Sequence, residues 1–477
     1  MHDAAERDPP PRCHPGTREK ATEDIVRWIE EPNPSSSVLW VNGRAGVGKT
    51  ALMQKIAERG GVYFGGCFFF RRGVSGCNQK GFLFSTLAYQ LAMNIPGMLE
   101  HVERVMSKDF SLPTKCAAVQ VQRLIVEPMK LLPTPPRRPI FIIDGLDECE
   151  GFDSQCDILS LVSKDLSIPI RVVIASRPEH QICSAFNKEP LFSMTRRLVL
   201  DDEYDSASDI ERYLRDKFAE IYACNRDIMR RVGSRWPSDY DLRTLVDRAS
   251  GQFIYASTVT RFVGSMTDFL TPQEKLKVIL NPGPMQASAF SELDRLYTQI
   301  LSTHGDSKVL VHILGVVLAL EELNKYPYDD ALTNVEVIAD IAGLGEGQVD
   351  LVLRALQSLS KILIESIYDD GCGEQPNDQR VQLSHRSFHD FLTDEARSGP
   401  YFISTDLFIG KIFCRVLELA SASINFFKRY YFTVLFRTTK ISFNVQAMAH
   451  CRKQAIIPGA NLSRLSVNMA GERVLTR

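Results

Sequence analysis

Gly43-Arg44-Ala45-Gly46-Val47-Gly48-Lys49-Thr50 is the stretch that decides the fold, because its glycines, lysine and threonine have the spacing of a phosphate-binding loop. Glycine allows successive backbone N–H groups to curve around phosphate oxygens, which a Cβ would obstruct. Lys49 then supplies a positive charge for the β- and γ-phosphates, and the hydroxyl group of Thr50 can ligate Mg²⁺. We predict that a nucleotide contacts Gly43, Arg44, Ala45, Gly46, Val47, Gly48, Lys49, Thr50 and Ala51.

The sequence on either side of the loop argues against the alternative, a glycine-rich turn with an incidental lysine. Residues 38–41 are apolar and predict a strand, and residues 50–58 predict a helix. The N-terminus of that helix would point at the bound anion, where its backbone N–H groups are favourable. A strand, a loop and a helix in this order predict a nucleotide site.

A second apolar strand, over residues 140–143, runs directly into Asp144-Gly145-Leu146-Asp147-Glu148. Ligands of open α/β sheets bind at the carboxyl ends of the strands. We therefore expect Asp144 to hold Mg²⁺ through water, and Asp147 or Glu148 to orient or deprotonate the attacking water. An acidic turn after a core strand is the alternative.

A further strand is predicted over residues 168–175, and Ser176-Arg177-Pro178 follows it. This position is again the carboxyl end of a strand, so Arg177 is a candidate sensor of the γ-phosphate. The alternative is a solvated loop arginine.

Composition excludes several classes of protein. The 477 residues allow about three domains, and 56 basic against 58 acidic residues give a net charge of −2. This balance gives no pull toward nucleic acid or an anionic membrane. The longest apolar run, residues 309–320, is too short to span a bilayer. Eleven cysteines without a disulfide pattern, and no secretory signal, favour a cytoplasmic protein. From the charge balance and the short apolar runs we expect neither nucleic-acid nor membrane partners.

Strands and helices alternate up to about residue 200, which predicts a parallel sheet with helices on both faces; the later sequence is mostly helical. Three helices and a hairpin with a polar tip predict a winged helix, but its groove-facing helix, residues 349–356, carries one basic residue, which disfavours DNA readout. The predicted division is an extended leader (1–18), an α/β P-loop NTPase core (19–200), a helical lid (201–284, ending at Pro282-Gly283-Pro284), the winged helix (285–395) and a helical extension with an unassigned tail (396–477).

These residues resemble the NACHT branch of the STAND signal-transduction NTPases, most closely the fungal NACHT proteins, over residues 13–395. The Asp-Gly-Leu-Asp-Glu form of the acidic motif is the most specific mark. The other motifs are Cys13-His14-Pro15-Gly16-Thr17-Arg18, the phosphate-binding loop, Phe68-Phe69-Phe70-Arg71-Arg72-Gly73, Thr86-Leu87-Ala88-Tyr89-Gln90-Leu91, Ser176-Arg177-Pro178 and His385-Arg386-Ser387-Phe388-His389-Asp390-Phe391-Leu392.

The last motif is similar to the segment that ends the winged helix in NOD-like receptors. The resemblance implies that His385 contacts the β-phosphate of ADP and holds a closed state. Two alternatives are a packing residue and, with His389, half of a zinc site. The nucleotide is expected to be ATP or ADP with Mg²⁺. Related families place a proline that contacts the adenine where this chain has Phe253, so the choice of base stays open and GTP is not excluded.

Three functions follow from these observations. The first is a signalling switch that hydrolyses ATP slowly and forms a homo-oligomer when ATP replaces ADP. The second is an ATP-driven remodelling enzyme with fast turnover, and the third is a scaffold whose nucleotide is purely structural. Family members of this type usually carry an N-terminal effector domain and a C-terminal repeat sensor, neither of which we recognise in the sequence, so we expect the chain to be truncated or incomplete.

Overall fold

The computed structural model describes residues 2–3, 7, 9–32, 35–72, 74, 76–132, 138–164, 168–200, 204, 206–233, 236–265, 270–281, 292–302, 307–323, 334–356, 359–365, 378–383 and 385–422. The predicted boundary at Pro282-Gly283-Pro284, the hairpin tip over residues 366–377 and the tail over residues 423–477 lie outside these ranges.

Within the described part, five strands form one parallel sheet in the order β2-β3-β4-β1-β5. All residues of β1, β3 and β4 are buried, as expected for a parallel sheet covered on both faces. The strands are β1 (Val38–Asn42), β2 (Phe64–Phe69), β3 (Ile140–Asp144), β4 (Arg171–Ser176) and β5 (Thr195–Val199).

Helices cover both faces of this sheet. Leu39 and Val41 pack on one face against α1 and α2, whereas Val38 and Trp40 pack on the other against α3, α7 and α8. The prediction of a parallel α/β layer is confirmed. The helices are α1 (Glu19–Glu30), α2 (Lys49–Arg59), α3 (Leu83–Asn94), α4 (Met98–Met106), α5 (Ala117–Gln120), α6 (Glu127–Leu131), α7 (Phe152–Lys164), α8 (His180–Phe186) and α9 (Leu191–Met194).

The register of the strands brings the predicted site residues to one edge. Asn42, the last residue of β1, pairs with Ser176 at the end of β4. Asp144, the last residue of β3, pairs with Ala175 of the same strand. The loop after β1, the acidic motif after β3 and Arg177 after β4 therefore leave the sheet side by side.

The second part of the chain is helical apart from one antiparallel hairpin among its described residues. One apolar cluster extends from Ile210 to Val416, so α10 to α18 and α20 share a core. The elements are α10 (Ser206–Cys224), α11 (Asp239–Ala249), α12 (Phe253–Gly264), α13 (Pro272–Leu280), α14 (Glu292–Ser302), α15 (Ser307–Leu323), α16 (Val335–Ala342), α17 (Glu346–Ala355), β6 (Ser360–Glu365), β7 (Asp378–Leu383), α18 (Arg386–Leu392), α19 (Glu395–Ser398) and α20 (Thr405–Ala422).

The helical extension after residue 395 belongs to this core. α20 packs on α15, and a Cβ at Gly315 would lie 2.3–2.6 Å from ring atoms of Phe408. Because only glycine admits so close an approach, Gly315 fixes where α20 meets α15. No helix in the described ranges combines the length and apolar character that a bilayer crossing needs.

Candidate functional site

The phosphate-binding loop joins β1 to α2 with two glycines in the left-handed region. The φ angles of Gly46 and Gly48 are 79° and 92°, which a side chain would strain. Gly48 also occupies the N-cap position of α2 and has no side chain to cap the helix. The first N–H groups of α2 are therefore suited to bind an anion.

Lys49 and Thr50 lie where the sequence predicts them. The Nζ atom of Lys49 donates hydrogen bonds to the carbonyl oxygens of Gly43 (2.6 Å) and Arg44 (2.8 Å), which places its charge over the loop. Thr50 forms a side-chain hydrogen bond with Asp144. The structure thus brings together the two predicted metal-side residues.

Asp144 is a buried carboxyl group. The residue is 2% exposed, and among the described residues its Oδ1 atom has no hydrogen-bond donor. Burial raises the pKa of Asp144 to about 7, whereas the Thr50 hydrogen bond lowers it. A hard divalent cation would give this buried carboxylate a positively charged partner, so Asp144 and Thr50 fit Mg²⁺.

The described residues contain no group of three or more His, Cys, Asp or Glu side chains that could hold a metal ion. Mg²⁺ usually keeps several waters and takes its remaining ligands from one or two carboxylates and from substrate phosphates. Asp144 and the hydroxyl group of Thr50 would be the protein ligands of such a site.

Arg177 connects the core to α18. Its Nη1 atom lies 2.8 Å from Oδ2 of Asp390, and its Nε atom lies 3.4 Å from Oδ2 of Asp147. The backbone N–H of Arg177 also donates to Oδ1 of Asp147 at 3.0 Å. Burial lowers the pKa of Arg177, but the carboxylates of Asp390, Asp147 and Glu148 outweigh it and raise the pKa above its usual value. The alternative of a freely solvated arginine is disfavoured.

The two predicted water-activating carboxylates have different surroundings. Asp147 is buried, and both of its oxygens contact Arg177. The Oε2 atom of Glu148 accepts the backbone N–H of Arg72 at 3.2 Å, and Arg71 interacts electrostatically with it. This arrangement favours Glu148 as the candidate base, whereas Asp147 orients Arg177.

His385 caps the N-terminus of α18 with its side chain, which accepts the backbone N–H of Ser387. Burial, followed by the charges of Arg177 and Lys49, lowers the pKa of His385 to about 3. His385 begins the helix whose Asp390 pairs with Arg177, so the structure brings His385 to the Arg177 side of the site. The imidazole ring is neutral at pH 7.

Residues around the loop that the site prediction missed come from the leader and from α10 and α12. Arg18 donates from Nη2 to the carbonyl of Val47 (2.7 Å) and from its backbone N–H to Asp209 (2.8 Å). Its guanidinium lies 5.1 Å from the ring centroid of Phe253. Arg18 belongs to a motif that the sequence displays, but Asp209 is a surface-type residue that only the tertiary structure brings here.

The N-terminus of α12 packs directly on the loop. The backbone N–H of Ile254 donates to the carbonyl of Gly46 at 3.0 Å. A Cβ at Gly46 would lie 2.0 Å from Cγ2 of Ile254, so the absence of a side chain there permits this contact. The helix that carries Phe253 therefore rests on the predicted phosphate cradle.

Residues 16–177 match the family model described as nephrocystin 3, N-terminal. A search of curated proteins finds no match. Among solved structures, Drosophila ORC bound to DNA is 14% identical with a TM-score of 0.34. The alignment covers 77% of this chain and 92% of the ORC chain. Cdc6p from Pyrobaculum aerophilum is 14% identical with a TM-score of 0.34, and the alignment covers 79% of this chain and 92% of the Cdc6p chain.

The parallel sheet, the loop after β1 and the carboxylate after β3 together form an α/β P-loop NTPase fold. The match to the nephrocystin 3 N-terminal family spans the loop, the acidic motif and Arg177.

Proposed function

We propose that this chain is a nucleotide-dependent signalling switch that binds ATP or ADP with Mg²⁺. One observation carries the proposal: the Arg177 guanidinium lies between Asp147 of the core and Asp390 of α18. A group predicted to sense the γ-phosphate thus also holds the helical part of the chain on the core.

A ligand shifts a conformational equilibrium only through contacts that differ between the two states. In the ADP state Arg177 stays paired with Asp390, and His385 donates to the β-phosphate. A γ-phosphate competes with Asp390 for the guanidinium, because phosphate and carboxylate bind arginine by the same paired geometry. ATP therefore weakens the contact with α18, and the released surface supports self-association as a homo-oligomer.

Hydrolysis resets the switch. Thr50 and Asp144 hold Mg²⁺, Lys49 and the loop N–H groups hold the phosphates, and Glu148 orients the attacking water. The resemblance to fungal NACHT proteins favours ATP and ADP over GTP as the bound nucleotide. We place α15 to α17 and the β6–β7 hairpin in a winged helix that serves as the closing domain, in a cytoplasmic protein without nucleic-acid or membrane partners.

The test combines nucleotide identification with size-exclusion chromatography of the purified chain. We expect bound adenine nucleotide, and an earlier elution with a non-hydrolysable ATP analogue than with ADP. Lys49→Ala should weaken nucleotide binding about 10- to 100-fold, because hydrogen bonds to charged groups contribute about 1.5–3 kcal/mol. Lys80→Ala is the matched control, since Lys80 pairs with Asp157 instead of contacting the loop.

Other results would support the alternatives. Equal nucleotide binding by Lys49→Ala and the unchanged chain would reject the site itself. Fast hydrolysis stimulated by a polymer would indicate a remodelling enzyme. Tight ADP with neither hydrolysis nor a change in elution would indicate a scaffold, and specific binding of duplex DNA would contradict the expected partners.

A further inference from the structure

The hydrogen bonds of His385 determine which of its ring nitrogens carries the proton. The Nδ1 atom lies 3.1 Å from the backbone nitrogen of Ser387. A backbone N–H can only donate, so Nδ1 must accept and cannot be protonated. The neutral ring therefore carries its hydrogen on Nε2, at the opposite edge.

Two hydroxyl groups continue this arrangement into the core. The Oγ atom of Ser387 lies 2.7 Å from Nδ1 of His385, and the Oη atom of Tyr297 lies 2.7 Å from Oγ of Ser387. Because Nδ1 accepts, Ser387 donates to it, and Tyr297 then donates to Ser387. The chain of bonds has a single direction, from α14 to the imidazole ring.

We infer that Ser387 and Tyr297 are positioning residues that hold His385 as its Nε2–H tautomer, so that a phosphate meets a neutral N–H donor. The phosphate contact rests on the proposed function, whereas the tautomer does not. The opposite tautomer would present a lone pair to the phosphate oxygens and repel them.

Burial makes the arrangement effective. Tyr297 is 1% exposed and Ser387 is 3% exposed, so water does not compete for their hydroxyl groups. The Tyr297 ring packs on Phe388 and Phe391 with centroids 5.0 and 5.4 Å away, which fixes its hydroxyl over α18. Burial also raises the pKa of Tyr297 above its usual value, so this donor keeps its proton.

The charges around the ring favour the same neutral form. Arg177, Lys49 and Arg261 each disfavour a positive charge on His385, and Asp390 opposes them. With three cationic groups against one carboxylate, the imidazole acts as a neutral donor and not as a fourth cation. The tautomer of the ring then decides whether His385 attracts or repels a phosphate.

The test uses the whole chain labelled with ¹⁵N-histidine, first without nucleotide and then with ADP. At pH 7 we expect the His385 signal, assigned by its loss in His385→Gln, to show a protonated Nε2 and an unprotonated Nδ1. Ser387→Ala and Tyr297→Phe keep the backbone N–H that donates to Nδ1 but remove or misdirect the hydroxyl donor, so each should raise the fraction of the Nδ1–H form and weaken ADP binding about 2- to 10-fold. Ser387→Thr, which keeps the hydroxyl, should restore both properties.

Tyr401→Phe is the matched control, since Tyr401 is a buried tyrosine outside this chain of bonds. A protonated Nδ1 in the nucleotide-free protein, or an unchanged spectrum in Ser387→Ala and Tyr297→Phe, would overturn the inference. If the tautomer is as expected but no variant of His385, Ser387 or Tyr297 alters ADP affinity, the phosphate contact is wrong and the positioning has no functional role.

Discussion

The phosphate-binding loop and α18 are both expected to contact phosphate, but they are built in different ways. The loop uses the backbone of consecutive residues, and its shape depends on the φ angles of Gly46 and Gly48. The α18 contact uses one side chain, His385, which Ser387 and Tyr297 orient, on a helix that Asp390 joins to Arg177. A general phosphate cradle can thus be local in sequence, whereas a contact that reports on distant elements must be assembled by the fold.

The largest expected effect concerns the chemistry on the loop side. Glu148→Gln should lower ATP hydrolysis about 100-fold or more, because a positioned base contributes about 10²- to 10⁴-fold. The measurement is single-turnover hydrolysis of the purified variant. Asp147→Asn should instead alter the elution volume with ADP, since Asp147 orients Arg177.

Glu150→Gln is the control for that experiment, because Glu150 follows the same strand and contacts Asn78. Normal hydrolysis in Glu148→Gln together with loss in Asp147→Asn would assign the base to Asp147.

The acidic motif shows how far the sequence could predict the site. The apolar strands, the glycine spacing and the carboxylate of Asp144 are local signals, and the structure brings Thr50 and Asp144 together as expected. Asp147 and Glu148 look equivalent in sequence, because their difference in burial and in arginine partners arises only when β2 and β4 lie on either side of β3. The pairing of Arg177 with Asp390 joins residues 213 positions apart, and no local pattern predicts it.

His385 is a neutral ring, in contrast to the fixed positive charge of Lys49 in the loop, and this makes the stability of the fold depend on pH. The pKa of His385 is lowered from 6.5 to about 3 in the folded chain. Between these values the unfolded chain binds a proton that the folded chain does not, so acidification favours unfolding. From pH 6.5 to pH 5 this effect is about 2 kcal/mol, at about 1.36 kcal/mol per pH unit.

His385→Gln should therefore lose about 2 kcal/mol less free energy of unfolding than the unchanged chain over this pH range. Denaturant unfolding at the two pH values measures the difference. His180→Gln, at an exposed histidine, should lose as much as the unchanged chain. An identical pH dependence in all three proteins would show that His385 is protonated in the fold.

The smallest expected effect concerns the link between the two regions. Asp390→Asn should weaken the contact of α18 with Arg177 by about 1 kcal/mol, since the pair is partly exposed. The variant should self-associate with ADP alone, measured by light scattering after size exclusion. Asp406→Asn, at an exposed residue of α20, should remain like the unchanged chain. Equal behaviour of both variants would remove Asp390 from the switch.

Gly46 shows that the sequence of the loop must suit the packing of α12 as well as the binding of a nucleotide. The general pattern of a phosphate-binding loop leaves this position open to any residue. Here a Cβ would collide with Ile254, a β-branched residue with little freedom to turn aside. Substitution at Gly46 should therefore be at least as poorly tolerated as at Gly48, because the clash with Ile254 adds to the backbone strain that both positions share. A loss of function there would reflect a displaced α12, and a library of loop variants would report on the fit of that helix as well as on nucleotide binding.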